Sequence, residues 1–155
     1  MEYASIEREI HVQASPEVLF AVVSQPEHLK EWWPDDATLA SSAPGATGEL
    51  IWGDEDNPRA TVEAMTVVES DPPRRFVFRW THSPGEEAAP GNSLLVTFEL
   101  TPSASGTVLR MTETGFREMG WEAAVLEAAY NDHVEGWNHF IPRLATYADS
   151  LVSSS

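Results

Sequence analysis

The chain has 155 residues, 42% of them hydrophobic, the size of one domain with one core, and a chain this long buries about two-thirds of its unfolded surface. Nine Lys and Arg against 25 Asp and Glu give a formal net charge of −16, a field that repels nucleic acid and anionic lipid head groups. Cysteine is missing from the sequence, which excludes disulfides, thiolate metal sites and a cysteine nucleophile.

Met1-Glu2-Tyr3 does not begin a basic region followed by an apolar run, so no signal peptide is expected. No stretch approaches the roughly 20 apolar residues of a membrane span, so membrane insertion is not expected and cytoplasmic residence is the default. The first element is a strand over residues 6–13, where Ile6, Ile10 and Val12 alternate with Glu7, Glu9 and His11, interrupted on the apolar face by Arg8. Ser15-Pro16 then reads as a cap followed by a first-turn proline, opening a short helix through Leu19 and Val23. Ser24-Gln25-Pro26 repeats the signal for a second short helix over residues 28–33, stopped by Pro34. Residues 41–48, with Pro44, Gly45 and Gly48, read as a loop.

Strands follow over residues 49–53, 59–70, 75–81, 93–101 and 107–114. Turn-rich segments separate them, among them Asp54-Glu55-Asp56-Asn57-Pro58, Asp71-Pro72-Pro73 and Ser83-Pro84-Gly85. The short connections favour antiparallel pairing. Alternation places Phe76, Phe78, Trp80 and His82 on one face of their strand, Leu94, Val96, Phe98 and Leu100 on one face of the next, and Thr107, Leu109, Met111 and Glu113 on one face of the last. So heavy an apolar face needs a cover, and only residues 121–151 are long enough to supply it. There Trp137, Ile141, Leu144, Ala148 and Leu151 recur at helical spacing. Pro142 is expected to kink this helix, Gly136 to weaken it, and residues 153–155 to fray beyond a single domain of residues 1–152.

The order of these elements is that of an α+β helix-grip fold: a curved antiparallel sheet of six to seven strands wrapped around a long final helix, with two short helices after the first strand. The chain resembles the START-like (SRPBCC) superfamily, in its activator of Hsp90 ATPase homologue-like branch. The resemblance is carried by Ile10-His11-Val12-Gln13-Ala14-Ser15-Pro16-Glu17-Val18-Leu19-Phe20, Pro26-Glu27-His28-Leu29-Lys30-Glu31-Trp32-Trp33, Val96-Thr97-Phe98-Glu99-Leu100, Met111-Thr112-Glu113-Thr114-Gly115-Phe116 and Gly136-Trp137. It implies a cavity between sheet and helix, and the branch is associated with lipid or polyketide binding, stress responses and chaperone contacts. It supplies no universal catalytic residue.

Six tryptophans are more than a core of Leu and Val requires, and indoles offer apolar area with a polar edge. Trp32, Trp52, Trp80 and Trp137 are the first lining candidates, joined by Phe78, Phe98 and Met111 from the sheet and by His133 and Ile141 from the helix. Trp33, beside Pro34, is read at the cavity mouth or on the surface. Glu113 has two readings. Either it points inward with Leu109 and Met111, where a lone carboxylate is costly and needs a partner such as His82 or His133, or it emerges into solvent near Gly115. Arg75 and Arg79 are read as facing surface carboxylates. The acidic turn at Asp54, Glu55 and Asp56 lacks the spaced ligands of a calcium loop, and Glu135 with His139 lacks a third metal ligand. No phosphate-binding loop, nucleophile elbow or zinc-protease helix is present.

Three functions stand open. The leading one is binding of a small hydrophobic or aromatic molecule without a cofactor or metal. The second is a cavity enzyme using Glu113 with His82 or His133 for proton transfer in a cyclisation, dehydration or hydrolysis. The third is a chaperone contact, and a second copy of the chain is a further protein partner to be considered.

Overall fold

The computed structural model describes residues 3–82 and 86–153. The expected turn at Ser83-Pro84-Gly85 and the last two serines lie outside the described residues. In chain order the elements are β1 (Ser5–Val12), α1 (Pro16–Ser24), α2 (Pro26–Trp32), β2 (Asp36–Leu39), β3 (Thr47–Trp52), β4 (Thr61–Asp71), β5 (Arg75–His82), β6 (Leu94–Ser103), β7 (Gly106–Thr114), a single 3-10 turn (Arg117–Met119) and α3 (Ala123–Ser153). The strands form one antiparallel, curved sheet in the order β1-β7-β6-β5-β4-β3-β2, and α3 lies along its concave face. This is the α+β helix-grip architecture expected from the sequence.

The local signals act largely as their chemistry dictates. The Ser15 hydroxyl accepts from the Val18 N–H at 3.3 Å and Pro16 follows at the first helical position. Ser24 does not cap α2: its hydroxyl donates to the Phe20 carbonyl at 2.6 Å, and Gln25 occupies the cap without a side-chain bond. The Trp32 indole N–H donates to the Val22 carbonyl at 3.0 Å, tying α2 back onto α1. Beyond Pro34 the sequence hid an edge strand, because β2 is only four residues long. Its pairing with β3 explains Gly48, since a Cβ there would lie 2.0 Å from the Thr38 carbonyl oxygen.

Register joins the separate apolar runs into one surface. Phe76 faces Phe98, Phe78 faces Val96, Phe98 faces Met111, Val96 faces Glu113 and Glu113 faces Ile6, so all these side chains point toward α3. His82 does not share this face. Met65 pairs with Trp80 but its neighbour Ala64 pairs with His82, leaving Thr81 as an extra residue in a bulge at φ 71°. The bulge breaks the two-residue alternation. Trp80 therefore points inward, whereas His82 points to the convex face, where its Nε2 meets the Thr66 hydroxyl at 3.1 Å.

α3 begins two residues later than expected and continues through Ser153, with Pro142 inside it. Trp137, Ile141, Leu144 and Ala148 are buried against the sheet, each worth about 1.5–3 kcal/mol for the larger side chains. Three polar ties fix the helix to the first strand and its turn: Arg8 Nε to Asn138 Oδ1 at 2.9 Å, the Tyr130 hydroxyl to the Ser5 carbonyl at 2.7 Å, and the Gln13 N–H to Asp149 Oδ1 at 2.8 Å. Arg8, which interrupts the apolar face of β1, is thus a bridge to α3.

Candidate functional site

Glu113 is the chemical centre of the interior. It sits near the end of β7, one pair from the strand terminus, and is fully buried. Three donors surround it: Trp80 Nε1 lies 2.8 Å from Oε2, and Trp137 Nε1 and His133 Nδ1 lie 2.8 and 2.9 Å from Oε1. An indole N–H only donates and a carboxylate only accepts, so the set is complementary and Nδ1 of His133 carries the hydrogen. Three strong bonds offset the cost of burying the carboxylate. The inward reading of Glu113 therefore holds, with His133 as the partner; His82 lies on the opposite face.

His133 comes from α3, one turn before Trp137, and its ring stands 5.3 Å from Trp80 and 5.4 Å from Phe116. Burial alone would lower its pKa. The hydrogen bond and charge of Glu113, with smaller contributions from Asp132 and Glu63, outweigh burial and hold it above the usual histidine value. With Nδ1 engaged, Nε2 has no hydrogen-bond partner among the described residues and His133 borders an open cleft. For His82 the balance is reversed: burial lowers its pKa, with only a weak opposing charge from Glu86.

The cleft occupies about 420 Å³ between the β3–β5 side of the sheet and the middle of α3. Its walls are the rings of Trp33, Trp52, Trp80, Trp137 and Phe140, and its rim carries Thr61, Glu63, Thr81, Asp132, Glu135 and His139. Gly136 makes the opening: a Cβ built there meets nothing within 4 Å. Trp33 is the hub, with ring centroids 4.9 Å from Trp80, 5.2 Å from Trp137 and 6.0 Å from Trp52. The Thr81 hydroxyl, turned toward this wall by the bulge, is buried without a partner among the described residues. Glu63 is half-buried, desolvation raises its pKa against a smaller lowering by His133, and among the described residues no hydrogen bond or ion pair engages it.

The sequence candidates divide between this cleft and the solid core. Trp52, Trp80, His133 and Trp137 border the cleft, and Glu113 stands immediately behind three of them. Trp32, Phe78, Phe98, Met111 and Ile141 do not border it. They are at most 2% exposed and pack into the continuous core, because the rings of Phe76, Phe78, Phe98 and Trp32 fill the space that alternation alone left open. The deep cavity expected there is therefore replaced by an open cleft at one end. Trp33 is 4% exposed and forms the floor of the cleft, not part of the outer surface. Sequence reasoning missed Thr61, Glu63, Thr81, Asp132, Gly136 and Phe140. Gly136 in an otherwise strong helix was the available signal.

The other polar candidates are structural. Asp54 closes its own turn by accepting from the Asn57 N–H at 2.8 Å, and Arg75 pairs with Glu69 at 2.9 Å and Glu99 at 3.5 Å. Among the described residues no three His, Asp or Glu side chains converge as a metal site. No described helix is long and apolar enough to cross a membrane.

A long helix gripped by a seven-stranded sheet has relatives, and the family model described as activator of Hsp90 ATPase homolog 1-like protein matches residues 13–149. The chain belongs to this family. The same fold recurs in a crystal structure from Mesorhizobium loti with a TM-score of 0.72 at 23% identity, covering 94% of this chain and 97% of that one. It recurs in one from Nitrosomonas europaea with a TM-score of 0.72 at 15% identity, covering 97% of both chains. The solution structure of the Aha1 dimer from Colwellia psychrerythraea has a TM-score of 0.69 at 19% identity and covers 94% of this chain and 96% of that one. Among curated proteins nothing matches significantly. This member of the Hsp90 ATPase activator homolog 1-like family thus has the family's fold, and the cleft geometry is the basis for reading its function.

Proposed function

We propose that this protein binds a small molecule with an apolar, ring-bearing body in the cleft between β3–β5 and α3. The observation that carries the reading is a space of about 420 Å³ walled by four indoles and a phenyl ring, within the size range of small-molecule sites and with their mixture of apolar walls and few polar groups. The polar edges of Trp80 and Trp137 are turned back onto Glu113, leaving ring surface for a guest. Fluorescence titration with N-phenyl-1-naphthylamine tests this, with Gly136→Leu as the blocked form. Dye enhancement in the native protein and its loss in Gly136→Leu is the expected result; equal enhancement in both overturns the site.

A second reading, proton transfer, is favoured by the His133–Glu113 pair. A carboxylate that fixes Nδ1–H leaves Nε2 as a general base toward the cleft. Mass analysis of a captured ligand after incubation with native protein and His133→Gln tests it, and identical products or none in both would end it. The chaperone contact suggested by the family's description is a competing reading. Stimulation of Hsp90 ATPase by the native protein, undiminished in Gly136→Leu, would favour that contact over the cleft.

A further inference from the structure

We propose that the guest of this cleft is an organic cation, an ammonium group on an apolar body, with Glu63 as its counter-ion and the indoles as its cage. This rests on the small-molecule reading above and adds the charge of the ligand to it.

The walls are disposed as a cage. Trp33 makes interplanar angles of 64° with Trp80 and 77° with Trp52, and Trp52 makes 43° with Trp80. Three rings so inclined are not a flat stack, and all three border the cleft, so a guest there meets indoles set at different angles. Indole faces carry negative potential, and such cages hold ammonium groups. Glutamate 113 strengthens this arrangement, because the Trp80 and Trp137 N–H groups are spent on it and cannot serve as donors to an anion or a carbonyl.

The rim has the matching charge. Glu63, Asp132 and Glu135 border the cleft, and among the described residues no Lys or Arg does. Glu63 is the decisive one. It borders the cleft, is partly withdrawn from water, and among the described residues makes no hydrogen bond or ion pair, so its oxygens are open to a guest. The group whose charge acts on it is His133, already joined to Glu113 at 2.9 Å. A guest ammonium would supply the opposite charge that offsets the partial desolvation of Glu63, and the −16 net charge would draw it in. An anionic guest meets three carboxylates, against which stand only the imidazoles of His133 and His139.

The test uses three probes of one shape: 4-tert-butylbenzylammonium, 4-tert-butylbenzyl alcohol and 4-tert-butylbenzoate. Each is titrated into the 15N-labelled full chain, with the indole N–H signals of Trp52, Trp80 and Trp137 as the readout. The expected order is ammonium, alcohol, benzoate, with the ammonium preferred over the alcohol about tenfold, the scale of a desolvated cation–π contact. In Glu63→Gln that preference falls to about threefold or less, while the alcohol binds as before. Alcohol binding equal to or tighter than ammonium in the native protein overturns the cation and leaves the small-molecule reading intact. An ammonium preference unchanged in Glu63→Gln overturns Glu63 as counter-ion. Failure of all three probes to move the indole signals overturns both readings. The comparison of head groups in the native chain needs no variant to fold.

Discussion

The two ends of the interface between sheet and α3 are equally rich in aromatic rings, yet one is solid and the other open. At the closed end Phe20, Phe76, Phe78 and Phe98 follow one another at 5.9–6.2 Å, and α3 adds Ile141, Leu144 and Ala148 to the same buried cluster. At the open end Trp33, Trp52, Trp80 and Trp137 are spaced similarly, but α3 presents Gly136 instead of a side chain. A buried carboxylate also holds two of the indoles by their edges. Aromatic content alone therefore does not make a cavity. A missing side chain opposite the rings makes one, and a polar anchor keeps the rings from collapsing into it.

Breaking the closed end has the largest effect. Phe98→Ala removes a fully buried ring from the centre of the cluster and is expected to cost about 3–5 kcal/mol, measured by urea denaturation, whereas Trp52→Ala at the open rim costs less. Next comes the anchor itself. Glu113→Gln sets an amide N–H₂ among three donors and is expected to cost about 1–3 kcal/mol. In the same variant His133 loses the hydrogen bond and charge that hold its pKa up against burial, so its pKa is expected to fall; an NMR titration of that ring reads the drop.

Filling the open end goes the other way. Gly136→Leu replaces the least favourable helix residue after proline with a good one where there is space, and is expected to add about 0.5–1 kcal/mol while abolishing dye binding. A gain in stability with loss of binding separates the cleft from the fold. The smallest effect is on pH dependence, where His133 and His82 have opposite signs. For His133 the folded pKa is raised, so its contribution is fully present below about 6.5 and is lost as pH rises through the folded value. His82 has a lowered folded pKa, so its contribution is present above about 6.5 and is lost as pH falls through the folded value. Stability profiles of His133→Gln and His82→Gln across pH 5–8 are expected to differ from the native profile in opposite directions.

Much of this was legible in the sequence because it depends on short-range periodicity. Alternation put Phe78, Phe98, Met111 and Glu113 on one face, Ser15-Pro16 marked a helix start, and the spacing from Trp137 to Ala148 marked the covering helix. Other features depend on quantities that periodicity does not carry. How completely the rings fill the deep space is a matter of volume, so periodicity does not distinguish Trp32, Phe78 and Phe98, which are core, from lining residues. The orientation of Trp33 follows from a non-helical cap conformation at φ −119°, ψ −92°, outside any repeating pattern. His82 was placed on the wrong face because the bulge before it uses threonine at positive φ, where glycine would have signalled a break.

That single threonine has a consequence for how the protein can change. Thr81 adds one residue of chain between Trp80 and His82 without adding a rung to the ladder, in a backbone conformation a β-branched residue adopts only at a cost. Shortening the chain by this residue would leave Trp80 beside the other indoles and His82 on the convex face, since consecutive residues Met65 and Ala64 already pair with them, and would remove only the hydroxyl now in the wall. An insertion of length one thus adds a polar group to the recess without moving any residue that packs the interior.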